Sequence, residues 1–259
     1  MPPSDSLPHY PAIEPAALWT VAVSLLGMRR SFRRDAIRLT SRLHPPLSTT
    51  GLEHLPLTGP FLIPVNHYSR PKFSTSWIAL SISSLVAHEI TWITVTEWVY
   101  PGQRRERLLR PTMRFVLSGI RRGYHFLAMP TMVPNYADPF QRADGVRKVI
   151  RAVQTRPNII LGFTPEGMDF PGGALGTPPP GAGRFILALN RMGLRILPAA
   201  VTETGNRLAV AFGEPYNLTL PSGLPKEAED AFVSRVVMEC IASLMNPQSG
   251  FNFSPLRSL

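Results

Sequence analysis

The chain has 259 residues, a hydrophobic fraction of 44% and a formal net charge of +10 at pH 7. This length suffices for one large α/β domain or two small ones, and the charge predicts an anionic partner: nucleic acid, an acidic membrane surface or a phosphorylated small molecule. Zinc-finger spacings, aromatic-basic RNA-binding signatures and recognition-helix patterns are missing from the sequence, which argues against nucleic acid.

The N-terminal part divides into two segments. Residues 1–15 are rich in proline and are predicted to form a loose tail, whereas residues 16–50 are predicted to form a helical element of one or two helices. The apolar run 16–28 is shorter than the ~20 residues that a membrane-spanning helix needs. It is followed by a basic cluster, Arg29, Arg30, Arg33 and Arg34. This pattern is typical of a helix in the lipid headgroup region, or of a core helix with a solvated basic end.

Residues 51–259 alternate strand-like apolar runs with segments of helix length. The predicted strands are 61–65, 90–95, 158–163, 195–201 and 208–213, and the predicted helices are 73–87, about 111–119, about 146–153, 184–192 and about 226–245. This order predicts one α/β domain with a mostly parallel or mixed sheet, covered by helices on both faces. The single cysteine, Cys240, lies in the apolar stripe of the last helix and is predicted to pack as a small hydrophobe.

Two of the predicted strands end in polar turns that can carry chemistry. The run 61–65 is followed by Asn66 and His67, and the run 158–163 is followed by Thr164, Pro165, Glu166 and Gly167. Because α/β folds place their sites at the carboxyl ends of the strands, we expect these two tips to meet in one cleft. The loop 172–181, rich in glycine and proline, follows as a predicted lid or pocket wall.

These tips resemble the signatures of the phospholipid/glycerol acyltransferase family, of the lysophosphatidate acyltransferase type. Asn66 and His67 match the start of the Asn-His-x-x-x-x-Asp block, and Pro165-Glu166-Gly167 matches the Phe-Pro-Glu-Gly block. The order of the other pieces extends the resemblance over about residues 51 to 216. One departure is central, because Lys72 stands five residues after His67, where the family carries its orienting aspartate.

The resemblance implies an acyltransferase that moves a fatty acyl group from acyl-CoA or acyl-carrier protein to a hydroxyl of a glycerolipid or another lipid. It implies that His67 takes the proton from the acceptor alcohol, since a histidine is largely neutral near pH 7, and that Glu166 shapes the acceptor pocket. It implies no metal or cofactor, and it favours attachment of the N-terminal element to an anionic membrane surface at the cytoplasmic face. The candidate substrate contacts are Asn66, Thr164, Pro165, Gly167, Asp169 and Arg184.

Three positions depart from the family pattern. Lys72 replaces the aspartate, and loss of the comparable carboxylate in a serine-protease triad costs about 10⁴-fold in rate. The third block continues with Met168-Asp169-Phe170 instead of Thr-Arg-Ser, and residues 124–130 lack the arginine of the second block. The candidate replacements are Asp169, Asp138 and Asp144 for the aspartate, and Arg121, Arg122 and Arg184 for the phosphate-binding arginine.

The sequence leaves two alternatives to an enzyme open. The first is a membrane-associated lipid-binding protein that keeps the fold without catalysis, which the departures favour and the retained His67 and Glu166 disfavour. The second is a nucleic-acid-binding protein, which rests on the positive charge alone and ranks last.

Overall fold

The computed structural model describes residues 8–97, 106–130, 139–168 and 174–246, with the backbone alone for residues 106–109. In chain order the elements are α1 (Glu14–Leu25), α2 (Phe32–Thr40), β1 (Ser48–Thr50), a 3-10 turn (Leu52–His54), β2 (Phe61–Pro64), α3 (Ser76–Leu85), β3 (Thr91–Val95), α4 (Glu106–Tyr124), β4 (Leu127–Met129), α5 (Pro139–Thr155), β5 (Ile160–Phe163), α6 (Ala182–Arg191), β6 (Arg195–Ile196), β7 (Ala199–Thr204), β8 (Arg207–Phe212) and α7 (Glu229–Met245).

The strands form two sheets that continue into each other. Five parallel strands lie in the order β4-β3-β5-β2-β6. Three more lie in the order β1-β8-β7, with β1 parallel to β8 and β7 antiparallel to it. A parallel bridge between Val65 and Ala199 joins the end of β2 to the start of β7. The predicted α/β class with a mostly parallel or mixed sheet is therefore confirmed.

Helices cover both faces of the parallel sheet. Successive side chains of a strand point to opposite faces, and Ile63 of β2 packs in one core cluster while Leu62 packs in the other. The first cluster includes buried residues of α2 and α3, and the second includes buried residues of α5, α6 and α7. All four residues of β2 and all four of β5 are buried, which explains why these strands appear in the sequence as continuous apolar runs.

The predicted strand 195–201 is divided into β6 and β7 in the structure. Pro198 lies between the two, and proline has no N–H to donate to a strand ladder. Its carbonyl accepts a hydrogen bond from the N–H of Gly213 at 2.9 Å. The break moves the chain from the parallel sheet into the three-stranded sheet. Sequence analysis also missed β1 and β4, which have three residues each.

The N-terminal segment is anchored to the domain. Helix α1 packs on α4, where Gly123 allows close approach, since a Cβ there would lie 2.5 Å from Thr20 Cγ2. A buried polar network joins three helices: the Thr20 hydroxyl donates to the Tyr124 hydroxyl at 2.7 Å, which donates to Asp35 at 2.7 Å. Arg30 donates to the same carboxylate from Nε at 2.9 Å.

The described part of the predicted tail is not loose. The ring of Tyr10 packs edge-on against that of Phe73, with 4.9 Å between the centroids, and its hydroxyl donates to Glu203 at 2.7 Å. Helix α1 begins at Glu14, two residues before the predicted boundary. Among the described residues, no helix is both long enough and apolar enough to cross a membrane.

A matched pair of glycines tests the packing of the turn that leads into β2. Gly51 has a φ of 73° and a Cβ there would lie 1.9 Å from the Phe212 carbonyl oxygen, whereas Gly205 has a φ of 59° and no atom within 4 Å of a Cβ. Alanine at either position lowers the free energy of unfolding by about 1–2 kcal/mol, because the backbone there is left-handed. Only in Gly51→Ala must the Phe212 carbonyl of β8 also be displaced. We expect urea denaturation to show at least about twice the loss for Gly51→Ala that Gly205→Ala gives. Equal losses would contradict this close approach.

Candidate active site

The tips that follow β2 and β5 meet at one edge of the sheet. The two strands are neighbours and parallel, with Pro64 beside Phe163, so the segments that follow them emerge on the same side. The N–H of His67 donates to Glu166 Oε2 at 2.6 Å. A contact between residues 99 positions apart therefore joins the Asn-His tip to the Pro-Glu-Gly turn.

Glu166 acts on this site through the backbone. Its side chain is buried, with the residue only 1% exposed, and its second oxygen accepts a hydrogen bond from the N–H of Gly176 at 2.6 Å. One carboxylate thus holds both the segment that carries His67 and the loop that follows the turn. Hydrogen bonds to a charged group contribute about 1.5–3 kcal/mol each. Glu166 therefore positions two backbone segments, and its expected role in shaping the acceptor pocket stays a prediction.

The turn from Thr164 to Gly167 presents Glu166 toward β2. Gly167 has a φ of 69°, which glycine adopts without steric cost, and its N–H donates to the Thr164 carbonyl at 3.2 Å. Pro165 is buried and Thr164 is half-buried. Pro165 and Gly167, predicted as substrate contacts, therefore have a clear structural role in shaping the turn.

Asn66 joins the two sheets. Its amide oxygen accepts from the N–H of Val201 at 2.8 Å, and its Nδ2 donates to the carbonyl of Val201 at 2.9 Å. The residue is 2% exposed. The side chain replaces a pair of ladder hydrogen bonds between the end of β2 and β7. The structure thus gives Asn66 a structural role, and the substrate contact expected from the sequence stays a prediction.

Lys72 occupies a tight turn. The N–H of Phe73 donates to the Arg70 carbonyl at 2.9 Å, and the N–H of Arg70 donates to the Phe73 carbonyl at 3.1 Å. Pro71 and Lys72 form the tip of this turn, where Lys72 has a φ of 71° and is exposed. The position at which the resemblance expects the orienting carboxylate therefore carries an exposed turn residue.

A half-buried cluster holds the segment that follows His67, and sequence analysis missed it. Arg70 Nε donates to Glu203 Oε2 at 2.7 Å, and the hydroxyl of Tyr68 donates to the same oxygen at 3.1 Å. The hydrogen bond to Glu203 raises the pKa of Arg70, while burial and then Glu203 raise the pKa of the Tyr68 hydroxyl. Because Arg70 and Glu203 are 133 residues apart, nothing in the local sequence pattern indicates this pair.

The other candidates are distributed away from this contact or outside the described residues. Asp138 and Asp169 lie outside them. Asp144 accepts an ion pair from Lys148 at 2.7 Å on an exposed part of α5, as is usual for a solvated helix face. The side chain of Arg184 is exposed on the first turn of α6, and its N–H donates to Asp230 at 2.9 Å. In the described part of the chain, no group of three His, Cys, Asp or Glu residues is placed to hold a metal ion.

Comparison with known proteins identifies the fold. No protein-family model and no curated protein matches the chain. Among solved structures, it is similar to the crystal structure of the 1-acyl-sn-glycerophosphate (LPA) acyltransferase PlsC from Thermotoga maritima. The TM-score is 0.50, the sequence identity is 16%, and the match covers 90% of this chain and 83% of that chain. At this identity, the similarity shows a shared α/β fold.

Removing the Asn66 amide tests its role as a joint between the sheets. In Asn66→Ala, the buried N–H and carbonyl of Val201 both lose their partner, and an unsatisfied buried group costs about 1–3 kcal/mol. We expect the free energy of unfolding in urea to fall by roughly 2–4 kcal/mol. Asn217→Ala, which removes an amide near the surface, serves as the control. A loss in Asn66→Ala no larger than that of the control would contradict the structural role.

Proposed function

We propose that this protein is a lipid acyltransferase, which moves a fatty acyl group from an acyl thioester to a hydroxyl of a glycerolipid or another lipid. The donor is acyl-CoA or acyl-carrier protein. The hydrogen bond from the His67 N–H to Glu166 carries this proposal, because it joins a histidine to the Pro-Glu-Gly turn at the carboxyl edge of the sheet. The fold shared with an LPA acyltransferase supports it.

In the proposed reaction, His67 is the general base. Its imidazole takes the proton from the acceptor hydroxyl as the hydroxyl oxygen attacks the thioester carbonyl carbon. The tetrahedral intermediate then collapses, the carbon–sulfur bond breaks, and the departing thiolate takes the proton from the imidazolium. A positioned base of this kind contributes about 10²–10⁴-fold in rate. Glu166 fixes the backbone from which the imidazole extends.

We also propose that α1 binds to an anionic membrane surface, at the cytoplasmic face. This helix and the turn that follows it expose large apolar side chains: Leu18 (62%), Trp19 (59%) and Leu25 (58%) in the helix, and Leu26 (76%) and Met28 (57%) after it. A contiguous apolar surface on a monomer is typical of a site for a partner or a membrane. Of the basic cluster that follows, Arg30 pairs with Asp35, and Arg33 Nε donates to the Val86 carbonyl at 2.7 Å. Arg29 and Arg34 are exposed and remain candidates for contact with lipid.

A catalytically inactive lipid-binding protein is the second candidate function. The observation in its favour is the exposed turn at Lys72, which presents an ammonium where the resemblance expects an orienting carboxylate. It shares the membrane-binding surface with the first candidate and differs only in thioester turnover. A direct assay of acyl-thioester consumption therefore separates the two.

His67→Ala tests the proposed base. We expect thioester consumption, measured with a panel of lysolipid and neutral alcohol acceptors, to fall by at least about 10²-fold, because the proposed proton acceptor is removed. The thermal unfolding temperature should stay the same, since the backbone N–H that binds Glu166 is kept. His88→Ala is the control, because His88 is exposed just before β3, at the other end of the sheet.

Two results would contradict the proposal that this protein is an acyltransferase. Equal turnover by the His67→Ala variant and the parent would exclude His67 as the base. Failure of the parent to consume any acyl thioester of the panel, with vesicle binding intact, would favour the inactive lipid-binding protein.

Trp19→Ser tests the membrane-binding face of α1. Because the indole is exposed, this change should leave the free energy of unfolding nearly unchanged. We expect co-sedimentation with vesicles to fall about tenfold or more, both with neutral phosphatidylcholine and with added phosphatidylglycerol, since an apolar contact is lost in each case. Leu57→Ser, an exposed leucine (85%) outside α1, is the control. Unchanged co-sedimentation by Trp19→Ser would rule this face out.

A further inference from the structure

A second concave site lies beside the end of α1, and it is basic. This cleft has a volume of about 360 Å³ and lies between the end of α1, the end of α4 and the chain that leads into β4 and β5. Four arginines and one histidine line it: Arg29, Arg121, Arg122, Arg156 and His125. Three different parts of the chain thus contribute cationic groups to one depression.

The charges of this basic cleft are not neutralised within the described residues. The residues that line it include no Asp or Glu, and no ion pair of the described part of the chain involves its four arginines. Other arginines do find acids: Arg70 pairs with Glu203 and Arg110 with Glu97. A cleft lined by several positive groups attracts an anion. Its concave shape strengthens the positive electrostatic potential inside it.

The pKa values of two lining residues show the same excess of positive charge. Burial lowers the pKa of Arg121, and the nearby Arg114 and Arg122 lower it further. Burial likewise lowers the pKa of His125, together with the positive charges of Arg29 and Arg156. An anion bound between these groups relieves this repulsion.

Arg121 contributes to the cleft wall, but its guanidinium binds the carboxyl end of β3. Its Nη1 donates to the carbonyl of Val95 at 2.9 Å, and the backbone carbonyl of Arg121 accepts from the N–H of Phe126 at 3.0 Å. Guanidinium groups match phosphate oxygens with several donors in a rigid plane. Arg29 and Arg156, which both lower the pKa of His125, line the cleft together with Arg122 and are therefore suited to one phosphate group.

The basic cleft is separate from the candidate active site. Arg156 lies four residues before β5 and Glu166 lies three residues after it, so the strand stands between the two sites. The cleft instead adjoins the exposed apolar end of α1: Gly27 and Met28, which follow the exposed Leu25 and Leu26, line it. An apolar surface beside a cationic depression of about 360 Å³ fits a molecule that has both an acyl chain and a headgroup with a phosphate.

We propose that this basic cleft binds the phosphate of an anionic lipid headgroup while α1 contacts the acyl region. The proposal deepens the membrane association proposed above and does not depend on acyl transfer. A soluble phosphate monoester can make the same contacts with the cationic groups. It has no acyl chain, however, to pack against the apolar residues Leu25, Leu26 and Met28.

The test removes two cleft charges from the full-length protein. Arg122→Gln with Arg156→Gln removes two exposed arginines of the cleft, and Arg147→Gln with Lys148→Gln removes two exposed cations of α5. Both double variants change the net charge equally. At about 1 kcal/mol for each arginine at an anionic surface, we expect the cleft variant to bind phosphatidylcholine vesicles with added phosphatidylglycerol about 25-fold more weakly. Binding to phosphatidylcholine alone should not change, and the control variant should bind like the parent.

Each other outcome overturns the proposal in a recognisable way. Equal losses by the two double variants show a general effect of net charge. Loss in Trp19→Ser without loss in the cleft variant leaves the membrane association intact and removes the cleft from it. Calorimetry with sn-glycerol 3-phosphate tests whether the ligand is a soluble phosphate instead of a lipid. That would be the conclusion if the parent binds this compound, the cleft variant does not bind it, and both proteins bind vesicles equally. His67→Ala must bind vesicles like the parent, so failure of the acyltransferase proposal remains distinguishable.

Discussion

The arrangement at the carboxyl edge of the sheet depends on one buried carboxylate. Glu166 accepts hydrogen bonds from the N–H groups of His67 and Gly176, and these belong to two segments that would otherwise emerge from the sheet independently. The turn closed by Gly167 aims the carboxylate at them. Because buried hydrogen bonds to a charged group are strong and directional, this contact fixes where the histidine backbone lies relative to the loop over the site. The proposed chemistry needs that fixed geometry, since a misplaced base loses most of its effect.

Two further contacts hold the segment around His67 from its other sides. Asn66 attaches it to β7 through both backbone groups of Val201, and Arg70 attaches it to Glu203 at the far end of the same strand. The described part of the N-terminal segment joins this arrangement through Tyr10, which also binds Glu203. The candidate active site and helix α1, for which we propose membrane binding, are therefore parts of one connected structure. At the amino ends of β4 and β5, the basic cleft meets the carboxyl end of α1, whereas Tyr10, which precedes α1, binds Glu203 beside the candidate active site.

Sequence patterns predicted the parts of this fold that rest on local apolar periodicity. The strand β2 was predictable because its four residues are all buried, and the strand tips followed from the position of parallel strands in α/β folds. The short strands β1 and β4 were not, because three residues carry no periodicity and their pairing is set by distant partners. Pro198 also divided a predicted strand. At the site, the predicted contact between the two strand tips is present. The backbone contacts of Asn66 and Glu166 were not predicted, and Arg70 and Glu203, which are 133 residues apart, have no local signal in the sequence.

Amide hydrogen exchange at His67 and Gly176 tests the central contact most directly, because each N–H is bound by a different oxygen of Glu166. The measurement compares the parent with Glu166→Ala and uses the N–H of Val201, held by Asn66, as an internal reference. The account predicts that both amides exchange at least about tenfold faster in the variant, as expected when a hydrogen bond to a charged group is lost, while Val201 stays protected. Unchanged exchange at both amides would contradict it.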